Sequence, residues 1–206
     1  MTPTPTPSSL TSAMPTEILG QSQTIQWFPY LTLNNWQARI ETGSGYMNWQ
    51  DPNFKIWNNP VTPGTDKIVR TYSQIERIIL TIGKSPANTR TAGTYEEIVD
   101  KAIDTIRIKY PNLKEIILQP LAAGPNRTLC TIGGETVKTT ENLPAIEDAI
   151  DKLVVKYNDV KKGLVPLVTS CSEFADSTGH LTIAGRINIA KQNDRFYGEG
   201  STTSAS

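Results

Sequence analysis

A serine stands just beyond a short apolar run near the amino end, in Ile18-Leu19-Gly20-Gln21-Ser22-Gln23-Thr24. Toward the other end, Asp176-Ser177-Thr178-Gly179-His180-Leu181-Thr182 carries the single histidine of the chain, four residues after a carboxylate. A serine hydroxyl is a weak nucleophile until a base takes its proton, and imidazole is the usual base near neutral pH. If this chain uses serine chemistry, His180 has no competitor for that work, and Asp176 is the nearby carboxylate that could orient it. Each piece also has a plain structural reading. Gly20 can serve only a turn, and an Asp–His pair four residues apart is common at a surface or a helix start.

The other candidate groups are weaker. Trp27, Trp36, Trp49 and Trp57 gather in the first third with Phe28, Tyr30 and Tyr46. They could stack on sugar rings or line an acyl pocket, or simply build core and surface. Two cysteines and one histidine lie in separate stretches, which does not suit a zinc set. Gly133-Gly134 lacks the lysine–serine pair of a phosphate loop. Cys130 and Cys171 make an even count, which permits a bridge without requiring one. Asn126-Arg127-Thr128 is a glycosylation sequon, meaningful only in a secreted eukaryotic protein.

Several elements must position these residues. Glu17–Leu19, Gln37–Ile40, Ile78–Ile82, Ile116–Leu118 and Leu164–Val168 are short runs, mostly of branched apolar residues, and read as strands covered on both faces. Between them lie helical patterns. Thr94 and Glu97 form a capping-box sequence before the stripe Tyr95, Ile98, Val99, Ala102, Ile103, Ile106, and Pro111 stops that helix. A second helix opens near Pro144 and repeats through Tyr157, and a third covers roughly Leu181 to Gln192. Strands alternating with such helices predict βαβ units and a parallel sheet, with the site beyond the carboxyl ends of the strands.

With 206 residues the chain suffices for one well-cored domain. Twenty basic and twenty acidic residues balance, which argues against a nucleic-acid binder. No stretch approaches the roughly 20 apolar residues of a membrane span, and no apolar leader opens the chain. Residues 1–15 are nearly all Thr, Pro and Ser and read as a linker or tail, residues 16–196 as the domain, and 197–206 as a flexible tail. Such flanks suit either a module of a longer secreted protein or a small protein with frayed ends.

Across roughly residues 16 to 195 the sequence resembles the SGNH, or GDSL-like, hydrolase superfamily. The carrying features are the Gly-x-Ser block after strand one, a Gly after strand two in Thr42-Gly43-Ser44-Gly45, Tyr110-Pro111 before strand four, and Asp…His-Leu-Thr before the last helix. Gly20-Gln21-Ser22 has Gln where the family usually has Asp, as in its carbohydrate and sialate acetylesterase branches. Three residues separate Asp176 from His180 where two are usual, and Gly83-Lys84-Ser85-Pro86-Ala87-Asn88 lacks the family's Gly-x-Asn.

The resemblance implies a three-layer α/β/α sandwich around a five-stranded parallel sheet of order 2-1-3-4-5. It implies Ser22 as nucleophile, His180 as base and Asp176 as its orienting carboxylate, with an oxyanion hole from the N–H groups of Ser22 and Gly45 and a third donor, Asn88, with Ser85 as the alternative. No cofactor or metal is called for. The implied activity is hydrolysis of a small acyl group, such as acetyl, from a carbohydrate. A lipase- or thioesterase-like action on longer chains, or a non-catalytic binding module of the same fold, are the alternatives. In the implied sheet order strands four and five are neighbours, so Cys130 and Cys171 would meet at one rim and could bridge. A bridge would suit a secreted protein.

Overall fold

The computed structural model describes residues 14–42, 45–83 and 91–198. In chain order these form β1 (Thr16–Gly20), α1 (Ser22–Trp27), β2 (Trp36–Ile40), β3 (Val61–Pro63), β4 (Arg77–Ile82), α2 (Ala92–Lys109), β5 (Glu115–Pro120), β6 (Thr131–Ile132), β7 (Glu135–Thr136), α3 (Lys138–Glu141), α4 (Leu143–Lys156), β8 (Val160–Lys162) and α5 (Ile183–Gly198). Short 3-10 turns fill several of the connections.

The main sheet has six strands in the order β3-β2-β1-β4-β5-β8, not five. The additional strand, β3, runs antiparallel to β2 at the edge, pairing Val61 with Arg39 and Pro63 with Gln37. Proline at its end and just before it hides it in the sequence, and proline also suits an edge, where an unpaired N–H is not missed. The other five strands are parallel.

The last parallel strand is Val160–Lys162 and not Leu164–Val168. Pro166 interrupts that apolar run and has no N–H to offer a ladder. The chain still follows β5: Gly163 N–H donates to Leu118 O at 2.9 Å and Val168 N–H to Ala123 O at 2.9 Å, but only Leu167 makes a bridge, with Ala123.

Helix boundaries moved for local reasons. Thr91, not Thr94, caps α2, its hydroxyl accepting from Thr94 N–H at 3.3 Å. Glu97 turns outward to Lys101 instead of reaching back to the cap. The last helix continues to Gly198, and Tyr197, which the composition assigned to the tail, packs its ring 5.3 Å from that of Trp36. Residues 1–13 and 199–206, the bulk of the two predicted tails, lie outside the described residues.

Alternation along the strands divides the core in two. On one face Leu19, Ile78, Leu80, Ile116 and Leu118 meet α2 and α4 through Val99, Ile103, Ile106, Ile150 and Leu153. On the other, Ile18, Ile79 and Ile117 meet α1, the 3-10 turn after it and α5 through Trp27, Phe28, Ile189 and Ala190. Side chains of period two between helices of period 3.6 produce the three layers. All four tryptophans are buried in these cores, so their role is packing. Glu17 is a buried carboxylate within β1, held by Arg39 Nε at 2.8 Å, Gln37 Nε2 at 2.5 Å and the Tyr110 hydroxyl at 2.9 Å. Among the described residues no helix is long and apolar enough to cross a membrane.

Candidate active site

β1 ends at Gly20 because the chain must turn at once into α1. A Cβ there would stand 2.6 Å from Thr24 Cβ. Gln21 precedes the first turn, its N–H reaching Thr24 Oγ1 at 3.4 Å, and Ser22 becomes the first helical residue, half-buried at the carboxyl end of the central strand. Its own N–H meets no hydrogen-bond acceptor among the described residues.

His180 arrives from a closed loop between β8 and α5. Phe174 and Leu181 form an antiparallel bridge at its neck, and Ala175 N–H donates to His180 O at 2.7 Å. Within it Asp176 organises the turn. Its Oδ1 accepts from Thr178 N–H at 2.9 Å, the Thr178 hydroxyl at 2.5 Å and His180 N–H at 3.2 Å. This is an aspartate folding the backbone that follows it. Gly179 takes φ +98°, where side chains are strained, and a Cβ there would also strike Thr139 at 2.6 Å. The turn absorbs the third intervening residue, so the longer spacing still brings Asp176 beside the ring.

The result is a continuous chain of contacts. Asp176 Oδ2 lies 2.7 Å from His180 Nδ1, and His180 Nε2 lies 3.0 Å from Ser22 Oγ. Partial burial alone would raise the Asp176 carboxyl, but donation from the Thr178 hydroxyl, the His180 ring and the His180 N–H outweighs it and holds the pKa at about 2. The carboxylate is therefore charged at any ordinary pH and accepts the Nδ1 proton, which leaves Nε2 to accept from the Ser22 hydroxyl. Such a chain can raise the nucleophilicity of Ser22.

Two glutamines on α1, unforeseen in the sequence, hold the histidine loop against the serine. Gln23 is buried, donates from Nε2 to Gly179 O at 2.7 Å, and accepts from Ala122 N–H at 2.7 Å. Gln26 accepts from Leu181 N–H at 2.8 Å. The peptide groups on both sides of His180 are thus bound to the helix that begins with Ser22. Glutamine three residues apart on a short helix carries no sequence signal of this kind, since its partners lie about 100 to 160 residues away.

Of the remaining predicted residues, Gly45 opens the 3-10 turn Gly45–Gln50 after β2, the strand beside β1. Asn88 and Ser85 lie outside the described residues. Cys130 and Cys171 are bridged, with Cα atoms 5.4 Å apart. A cleft of about 470 Å³ opens over Ser22 and His180, with Gln21, Leu121, Glu135 and Lys138 in its walls. Among the described residues no cluster of His, Cys, Asp and Glu is built to hold a metal.

No protein-family model and no curated protein matches the chain. Solved structures do. A Streptococcus pneumonia protein named for platelet activating factor shares 16% identity at a TM-score of 0.58, over 93% of this chain and 86% of that one. A family two carbohydrate esterase from Clostridium thermocellum, in complex with cellohexaose, shares 12% identity at a TM-score of 0.54, over 90% of this chain. The salicylyl-acyltransferase SsfX3 from a tetracycline biosynthetic pathway shares 12% identity at 0.50, over 94% of this chain. This chain spans 65% and 56% of the latter two. At these identities the likeness is one of fold, an α/β domain with a mostly parallel central sheet between helices.

Proposed function

We propose that this protein is a serine ester hydrolase that removes small acyl groups, acetyl foremost, from a carbohydrate through an acyl-enzyme. The observation that carries the reading is the unbroken contact from Asp176 through His180 to Ser22 Oγ, at 2.7 and 3.0 Å, inside the cleft. Both distances are within the reach that proton transfer requires.

Ser22 Oγ attacks the ester carbonyl carbon as its proton passes to His180 Nε2, and Asp176 stabilises the resulting imidazolium. The carbonyl oxygen, now an oxyanion, takes hydrogen bonds from the N–H groups of Ser22 and Gly45 and from a side chain of the loop after β4, Asn88 or Ser85. His180 returns the proton to the departing alcohol oxygen as the ester C–O bond breaks. Water then gives its proton to Nε2 and attacks the acyl carbon, releasing the acid and restoring Ser22. No step needs a cofactor.

The fold shared with a carbohydrate esterase is consistent with a sugar ester, and the Cys130–Cys171 bridge supports an oxidising compartment.

The test is labelling with a serine-directed fluorophosphonate, together with turnover of p-nitrophenyl acetate against longer-chain p-nitrophenyl esters. Wild type should label and favour acetate. Ser22→Ala should not label, and Ser22→Ala and His180→Ala should each lose several orders of magnitude in turnover while remaining folded. Near-wild-type turnover in either variant rejects the mechanism, a preference for long acyl chains rejects the acetyl assignment, and absence of labelling in the wild type makes the fold a binding module here.

A further inference from the structure

The segment from Cys130 to Glu141 belongs to neither layer of helices. It is the β6–β7 hairpin, turned by Gly133 and Gly134 at φ +61° and +83°, followed by α3. Its base is closed by Val137 N–H donating to Cys130 O at 2.8 Å and is tied by the disulfide to Cys171. It docks on the loop that carries His180. Lys138 N–H donates to Ser177 O at 2.9 Å, the Ser177 hydroxyl donates to Glu135 Oε2 at 2.6 Å, and Thr139 lies against Gly179.

This docking decides which part of a substrate the segment meets. On the proposed mechanism, on which this inference rests, His180 Nε2 must contact the leaving oxygen to protonate it, so the alcohol departs on the His180 side. The wall packed against the His180 loop therefore borders the leaving group, not the acyl group. Among the described residues, the acidic and basic side chains of the cleft wall besides His180 are Glu135 and Lys138. They are of opposite sign, so the pair gives the wall a strong acceptor and a strong donor with no net charge between them. The Ser177 hydroxyl fixes one carboxylate oxygen of Glu135 and leaves the other open. The Lys138 ammonium has only a long 3.4 Å contact, to Glu141, leaving protons for a ligand. A carboxylate and an ammonium at one wall match the hydroxyls of a neutral polyol. A phosphate or carboxylate on the alcohol would meet Glu135, a cationic head would meet Lys138, and an alkyl chain would desolvate both.

We infer that Glu135 and Lys138 are specificity-determining residues that bind the hydroxyls of a neutral polyol leaving group, the sugar part of the ester. The experiment compares kcat/KM on an acetylated methyl glucoside with that on p-nitrophenyl acetate, whose leaving group has no hydroxyls to bind. Glu135→Ala and Lys138→Ala should each lower the ratio of the two at least tenfold, chiefly through KM for the sugar ester, and Glu135→Gln, which keeps an acceptor, should recover part of it. A ratio within twofold of wild type in both alanine variants overturns the assignment. A second measurement stands apart from turnover. Ser22→Ala protein should bind the acetylated glucoside in calorimetry, and adding Glu135→Ala or Lys138→Ala should weaken binding at least tenfold. Unchanged binding also overturns the assignment. Failure of the hydrolase reading shows separately, as absence of fluorophosphonate labelling in the wild type.

Discussion

Gln23→Leu removes both ends of a buried bridge while keeping nearly the same volume. Its amide donates to Gly179 O and accepts from Ala122 N–H, each at 2.7 Å, and all three groups are buried. The substitution leaves one carbonyl and one N–H without partners away from water, at about 1–3 kcal/mol each. Leucine needs no partner and offsets part of this, so the net destabilisation should be about 2–4 kcal/mol. For a domain of this size each kcal/mol shifts Tm by about 2–4 °C, which predicts a fall of about 4–16 °C. Activity should suffer separately, because the Gly179–His180 peptide loses its tie to the serine helix. A displacement of about 1 Å can cost on the order of a hundredfold, so kcat on p-nitrophenyl acetate should fall about ten- to a hundredfold with little change in KM, measured well below the new Tm. Gln23→Glu keeps the acceptor for Ala122 but faces a carboxylate toward Gly179 O, and it should be no better than leucine. A Gln23→Leu protein with Tm within 1 °C of wild type and kcat within twofold would refute the reasoning that this bridge positions His180.

Reduction of the Cys130–Cys171 bridge opens a loop spanning 41 residues, worth about 4 kcal/mol in the chain-entropy model, so melting with reductant present should begin about 8–16 °C lower; an unchanged melt would show that the bridge adds nothing. Gly179→Ala should lower kcat on p-nitrophenyl acetate at least tenfold, since it meets both a positive φ and Thr139, and wild-type turnover would mean that the loop tolerates strain. Asp176 should titrate near 2 by carboxyl NMR, and a midpoint above 4 would contradict its hydrogen bonds. Because that folded pKa lies below the usual carboxylate value, the stability it contributes is fully present above about pH 4 and is lost as pH falls from there toward 2.

The amino-acid sequence alone determined the α/β class, the parallel strands before α4, and the candidate trio, for reasons local to each. A short branched run such as Ile78–Ile82 suits a strand covered on both faces, the stripe from Tyr95 to Ile106 has a helical period, and a single histidine admits one candidate base. Where Asp176 would lie relative to that base was decided by the folded loop, because an aspartate that folds its own following turn and a glycine at φ +98° convert an unusual spacing into a 2.7 Å contact. Edge strand β3 and the shift of the last strand to Val160–Lys162 were likewise invisible, since three paired residues owe their conformation to the neighbouring strand more than to their own side chains. The grip of Gln23 and Gln26 on the histidine loop, and the charged wall of Glu135 and Lys138, join segments far apart in the chain. No periodicity or motif encodes such contacts, because a hydrogen bond across that separation exists only once the sheet has brought its carboxyl ends together.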